Sequence, residues 1–180
     1  VLFSEALDTM EALELDFHHF FRRLSKIKLE DLATEEARKE KAAVFFHKEG
    51  TPTTIPEDDA RARIAIWLEG WRERMVDDWK DDGATVSEVK DNERIEAMKR
   101  VNPNFVPRGW ILDELIQRVE KDGERDVLNR VMHMVLNPFE DHWDGETFNG
   151  QTYNGDKDEE LRWTDDPPKT ERAMQCSCSS

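Results

Sequence analysis

The first 175 residues contain no cysteine; the two that exist, Cys176 and Cys178, lie within the last five positions. No disulfide can staple the body, and a bond between residues two apart would close only a tiny strained ring, a pattern that suits a reducing compartment. No run approaches the roughly 20 apolar residues that span a bilayer, and the opening Val1-Leu-Phe-Ser4 has neither an initiator methionine nor the basic-then-apolar pattern of a targeting peptide. A chain that opens this way is expected to be a fragment of a longer one. Positive charge is also scarce. Lys and Arg number 26 against 41 Asp and Glu, a net charge of -15. Neutralising phosphates requires clustered bases, so neither nucleic acid nor an anionic membrane is an expected partner.

Motifs of self-contained catalysis are missing as well. The eight glycines fall in no G-x-G-x-x-G arrangement, and the kinase-like His-Arg-Asp and Asp-Phe-Gly elements do not occur. Nor is there a His-Glu-x-x-His or Cys-x-x-Cys signature. His18 and His19 are adjacent and therefore point about 100° apart on a helix, while His47, His133 and His142 stand singly. They read as ordinary histidines, and no metal site is expected. Carboxylates are too plentiful for any pair to be informative, so no catalytic residue is assigned within the segment.

What remains is helix. A hydrophobic content of 37% and a mean hydropathy of -0.82 allow one domain with a modest core and long solvated faces. Ser4 can cap a helix in which Leu7, Met10, Leu13, Phe17, Phe20, Phe21 and Leu24 form one apolar stripe. A second helix is predicted from about Thr34 to Lys48, opened by Glu35 and Glu36 and ended by Gly50. Pro56 with Glu57-Asp-Asp59 starts a third, whose face of Ile64, Trp67, Leu68, Trp71, Met75 and Trp79 needs a partner, read as a packing face of a larger protein. Thr85-Val-Ser-Glu88 has the spacing of a capping box that opens a helix toward Met98 and Val101. Trp110 to Val119 and Val127 to Val135, separated by Gly123, make a helical hairpin that stops at Pro138.

After Phe139 the periodicity dissolves. Residues 137–180 carry eleven acids and four bases, yet also Trp143, Phe148, Tyr153 and Trp163. Four aromatics are too many for a solvating tail, so an irregular acidic strap over the body is expected, without strands. The division is thus 1–136 helical and 137–180 strap, ending in Cys176-Ser-Cys178-Ser-Ser180. The two thiols admit redox exchange with a partner cysteine, half of a metal site, or a covalently modified end, and the acidic surroundings raise a thiol pKa.

Several segments, taken in order, resemble the C-terminal region of the selenoprotein O family of pseudokinase-like protein adenylyltransferases. Asp16-Phe-His-His-Phe-Phe-Arg-Arg-Leu-Ser25 is similar to a family segment at Asp16, Phe17, Phe21, Arg22 and Leu24. Met98-Lys-Arg-Val-Asn-Pro-Asn-Phe-Val-Pro-Arg108 is similar to another at Met98, Asn102, Pro103, Val106 and Arg108, and Asn137-Pro-Phe139 resembles the family's Pro-Phe or Pro-Tyr after the last helix pair. His18, Pro107 and Gly109 depart from the pattern.

The resemblance implies a mainly α C-terminal region of a protein-kinase-like fold, residues 1–136 packing on a catalytic lobe of the same polypeptide. It implies transfer of AMP from ATP, with Mg²⁺ or Mn²⁺, to Ser, Thr or Tyr hydroxyls of protein substrates, in a mitochondrion. The motif residues Asp16, Phe17, Phe21, Arg22, Asn102, Pro103 and Arg108 are then structural, ATP and metal are not bound by this segment alone, and Cys178, with Cys176 behind it, is the redox-sensitive terminus. The alternative is a stand-alone helical interaction module whose tryptophan face binds a partner and whose Cys-x-Cys tail carries redox or metal chemistry.

Overall fold

A computed structural model of the chain describes residues 2–46, 54–81, 83 and 85–167. These residues are mainly α and divide into two compact units, 1–102 and 103–180.

The first unit begins with α1 (Leu2–Ala12) and α2 (Phe17–Ser25), where the sequence pattern suggested one continuous helix. The break has two causes. Asp16 adopts extended backbone and its carboxylate accepts the His19 N–H at 3.0 Å, an N-cap that starts α2 afresh. Before it, Glu14 takes φ +52, while the Leu15 N–H donates to the Met10 carbonyl and the Glu14 N–H to that of Glu11. These are the two bonds of a Schellman ending, closed by apolar Met10 and Leu15 in the core. Leu7 and Phe17, expected in the buried stripe, are therefore exposed.

A 3-10 turn at Glu30–Leu32 leads to α3 (Glu35–Lys41), capped by the Thr34 hydroxyl. A second 3-10 turn, Ala42–Phe45, replaces the continuation expected toward Lys48, and Gly50 lies outside the described residues. The central helix α4 (Glu57–Trp79) has Pro56 at its N-cap rather than in its first turn. Its Ile64, Trp67, Leu68 and Trp71 are buried by this unit itself. Phe20 of α2 lies 4.6 Å from Phe45 and 5.3 Å from Trp67, centroid to centroid, and the Trp67 indole N–H donates to the Leu2 carbonyl. The expectation that an absent lobe shields these indoles is thus corrected: α1, α2, α3 and the Ala42–Phe45 turn of the same unit supply the cover, and Trp79 is only half-buried. Finally, α5 (Glu88–Lys99) is capped by Ser87, not by Thr85, since the Ser87 hydroxyl accepts the Lys90 N–H.

In the second unit α6 (Gly109–Asp122) and α7 (Asp126–Leu136) form the expected hairpin, turned at Gly123 with φ +69. The following segment is not an irregular strap. Thr147–Phe148 (β1) pairs antiparallel with Gln151–Thr152 (β2), and Asn149 and Gly150 both have positive φ, the two-residue turn that suits strand twist. Helix α8 (Lys157–Trp163) follows, its N-terminus capped by Asp156. Trp143, Tyr153 and Trp163 join Phe105, Ile111, Leu115, Val127, Val131 and Met134 in the core, so the residues after Leu136 supply its large aromatics. Gly155 is required where it stands, because a Cβ there would lie 2.2 Å from the Tyr153 ring.

Left-handed backbone costs an L-residue about 1–2 kcal/mol, part of which glycine returns to the flexible unfolded chain. Glu14→Gly is therefore expected to stabilise the chain by about 0.5 to 1 kcal/mol, measured by denaturant unfolding; unchanged or lower stability would contradict the strain assigned to Glu14.

Candidate functional site

The residues singled out in the sequence meet first around Arg22. Asp16 fixes the first turn of α2, which places Arg22 on the face turned toward α5. Arg22 is 3% exposed, and its Nη1 donates to the carbonyls of Lys99 at 3.1 Å and Asn102 at 2.9 Å. The last carbonyls of a helix have no partner inside it and carry the negative end of its dipole, so a guanidinium suits both needs. Asn102 closes the clasp from the other side: its amide Nδ2 donates to the Met98 carbonyl and to Ser25 Oγ, while the Ser25 hydroxyl donates to the Phe21 carbonyl. Phe21 is half-buried and Phe17 exposed. Two motif segments almost eighty residues apart in the chain are thereby joined.

A second buried pair holds α5 along its length. Arg94, fully buried, donates from Nε to Asp91 at 2.7 Å and from Nη2 to the Ile27 carbonyl at 2.6 Å, with its guanidinium 5.2 Å from the Trp71 ring. Asp91 also accepts the Leu29 N–H. The sequence reading missed both residues; an Asp and an Arg three apart on a helix were the only signal.

In the second unit, Pro103 and Arg108 flank Asn104 and Phe105, whose N–H groups donate to the Pro138 carbonyl at 2.7 and 3.2 Å. Within the second unit, the Asn104-Phe105 part of the Met98–Arg108 block and the Asn137-Pro-Phe139 segment are thus hydrogen-bonded neighbours. Arg108 stands at the N-cap of α6, and its carbonyl accepts from Ile111 and Leu112. Beyond it, Glu159 of α8 accepts from Arg118 of α6 and Arg130 of α7, Glu124 accepts from the same two arginines, and Glu114 accepts from Arg118 and Arg162. Hydrogen bonds from Arg118 and Arg130 hold the Glu124 carboxyl down at about 2. Glu160 differs. Burial pushes its carboxyl above the usual range, although it accepts the Trp143 N–H at 3.1 Å. Burial likewise lowers His133 and raises Tyr153, whose rings stack at 4.6 Å.

These groups hold helices together. Among the described residues no three His, Cys, Asp or Glu side chains converge to hold a metal ion, and no glycine-rich cradle for phosphates occurs in the sequence. His47, Cys176 and Cys178 lie outside the described residues.

The family model of Protein adenylyltransferase SelO matches residues 1–136. The chain belongs to the SelO family. Its relatives include the Protein adenylyltransferase SelO, mitochondrial, of Schizosaccharomyces pombe, 26% identical over all of this chain and 28% of its own length. The Protein nucleotidyltransferase YdiU of Rhizobium etli is 30% identical over 79% of this chain and 23% of its own length, and that of Photobacterium profundum 24% identical over 100% and 29%. This SelO-family chain thus spans about a quarter of the length of the curated relatives it matches. No solved structure matches it.

Removing the buried Arg22 guanidinium takes the donor from two part-buried carbonyls, so Arg22→Ala is expected to cost about 2 kcal/mol in unfolding free energy, with Arg22→Lys recovering part; a loss below about 0.5 kcal/mol, the range of ordinary surface changes, would contradict the clasp. The pH response follows from Glu124. With its folded carboxyl at about 2 against an ordinary 4.5, its contribution is complete above 4.5 and fades as pH falls toward about 2. Glu160 acts in the opposite sense, its contribution fading as pH rises. Thermal melts in acid should show Glu124→Gln flattening the acid-side loss; an unchanged acid limb would remove Glu124 from that role.

Proposed function

We propose that this chain is the C-terminal helical part of a protein adenylyltransferase that moves AMP from ATP to Ser, Thr or Tyr hydroxyls of proteins. The carrying observation is the family match across 1–136, together with relatives named for adenylyl or nucleotidyl transfer that are about three and a half times as long as this chain. In this reading the kinase-like lobe, with ATP and Mg²⁺ or Mn²⁺, belongs to the rest of the polypeptide, and this segment buttresses it without supplying catalytic residues. Cys178, seconded by Cys176, is the redox-sensitive end. A mitochondrial location draws on the name of the Schizosaccharomyces pombe relative; the YdiU relatives are bacterial.

The competing picture of a stand-alone module relied on a tryptophan face open to a partner. Trp67 and Trp71 are buried inside the first unit, which removes the central part of that face from any such partner; the preference for the enzyme reading comes from the family match.

The test compares the complete polypeptide with this chain, each incubated with ATP, Mg²⁺ or Mn²⁺ and a protein acceptor, with AMP incorporation read by intact mass. The complete polypeptide is expected to modify the acceptor and the chain alone to leave it unchanged. Modification by the chain alone would overturn the assignment of catalysis to the rest of the polypeptide, and none by the complete polypeptide would overturn the activity.

A further inference from the structure

The first unit leaves one aromatic cluster outside its core. Phe3 of α1 is 61% exposed and Phe17 of α2 48%. They are not scattered: Phe3 stacks with Phe21 at 6.2 Å and Phe17 meets Phe21 edge-on at 4.9 Å, so Phe21 bridges the two helices. Leu7, also exposed, lies one turn from Phe3 on the same face of α1. On α2 the apolar residues therefore spread over more than one face: Phe20 and Leu24 lie in the core, Phe21 packs against the core at its edge, and Phe17 is exposed. A single-layer surface helix needs only one apolar face; a second belongs to a helix packed between two layers.

The rim identifies the second layer's chemistry. On its α1 side the rim is acidic, with Glu5, Asp8 and Glu11 and no Lys or Arg, whereas Arg22 and Arg23 of α2 are turned to the carbonyls of Lys99, Asn102 and Phe45; the acidic side is one that an anionic bilayer repels and that an apolar surface rimmed by Lys and Arg complements. The relatives' length places a tethered partner at hand: the chain accounts for only 28% and 23% of two of them, and a surface on the same polypeptide competes at high effective concentration. Phe3, Leu7, Phe17 and Phe21 all fall within the region matched by the family model.

We propose that Phe3, Leu7, Phe17 and Phe21 form the seat on which the rest of the SelO-family polypeptide packs, through an apolar surface with a basic rim; this rests on the reading that the chain is one part of a larger enzyme. The seat lies beside the Arg22 clasp, on the same helix, so the clasp sets the orientation in which the aromatic face is presented.

The experiment is hydroxyl-radical footprinting of the complete polypeptide beside this chain alone, with AMP transfer measured on the same preparation. Oxidation of Phe3 and Phe17 is expected to fall about fivefold in the complete polypeptide, in proportion to the surface lost to a packed interface, and to stay low on dilution. Equal oxidation in the two samples overturns the proposal. So does protection that disappears on dilution, which would assign the face to a second copy. Protection without AMP transfer supports the seat while overturning the activity, and transfer without protection overturns the seat alone.

Discussion

The first unit depends on a single guanidinium. Arg22 lies in the interior and holds the carbonyls of Lys99 and Asn102 at the end of α5. Without it the part-buried carbonyls of Lys99 and Asn102 would lose this donor, at about 1–3 kcal/mol for each group left unmet. α2 is nine residues long and α5 twelve, lengths at which an isolated helix is marginal in water, so each is stabilised mainly by its partner. Arg94 and Asp91 repeat the arrangement toward the other end of α5, holding the connection at Ile27 and Leu29. Buried charge here is tied to backbone, which fixes register between segments remote in sequence.

The second unit solves a related problem with different means. An acidic segment that would normally stay solvated is folded because Glu159 of α8 is held by Arg118 and Arg130, while Trp143, Tyr153 and Trp163 supply the apolar area. Neither device suffices alone: the acids would repel one another without the arginines, and the arginines would bring α8 to the hairpin with little to bury. This is why residues that look like a tail in composition complete a core.

Helix content was legible in the sequence, because periodicity and caps report local chemistry. Thr34, Gly123 and the face of α4 all follow from residue type. Asp16 was not read as a cap, and neither was the break at Glu14, since left-handed backbone is the habit of glycine and asparagine and the unbroken apolar spacing from Leu7 to Leu24 hid the break. Asn149-Gly150 and Asp156 were readable turn and cap signals obscured by the acidic composition around them. Burial of Arg22, Arg94 and Asp91 could not be read at all: long charged side chains are normally solvated, and only the distant carbonyls they meet explain their position. The indoles of α4 were correctly read as a packing face but not as one covered by the same chain, because pattern shows that a face is apolar and not what lies against it.

The clasp joins two segments that both lie within the region matched by the SelO family model. The central claim is that α2 and α5 are one cooperative structure through Arg22. Native-state hydrogen exchange measures it most directly, since amides that open together share one free energy. Amides of Phe20 to Leu24 and of Glu96 to Lys99 should exchange with a common opening free energy and a common denaturant dependence. Exchange of the α5 amides at the low cost of a fraying helix, while α2 stays protected, would contradict it.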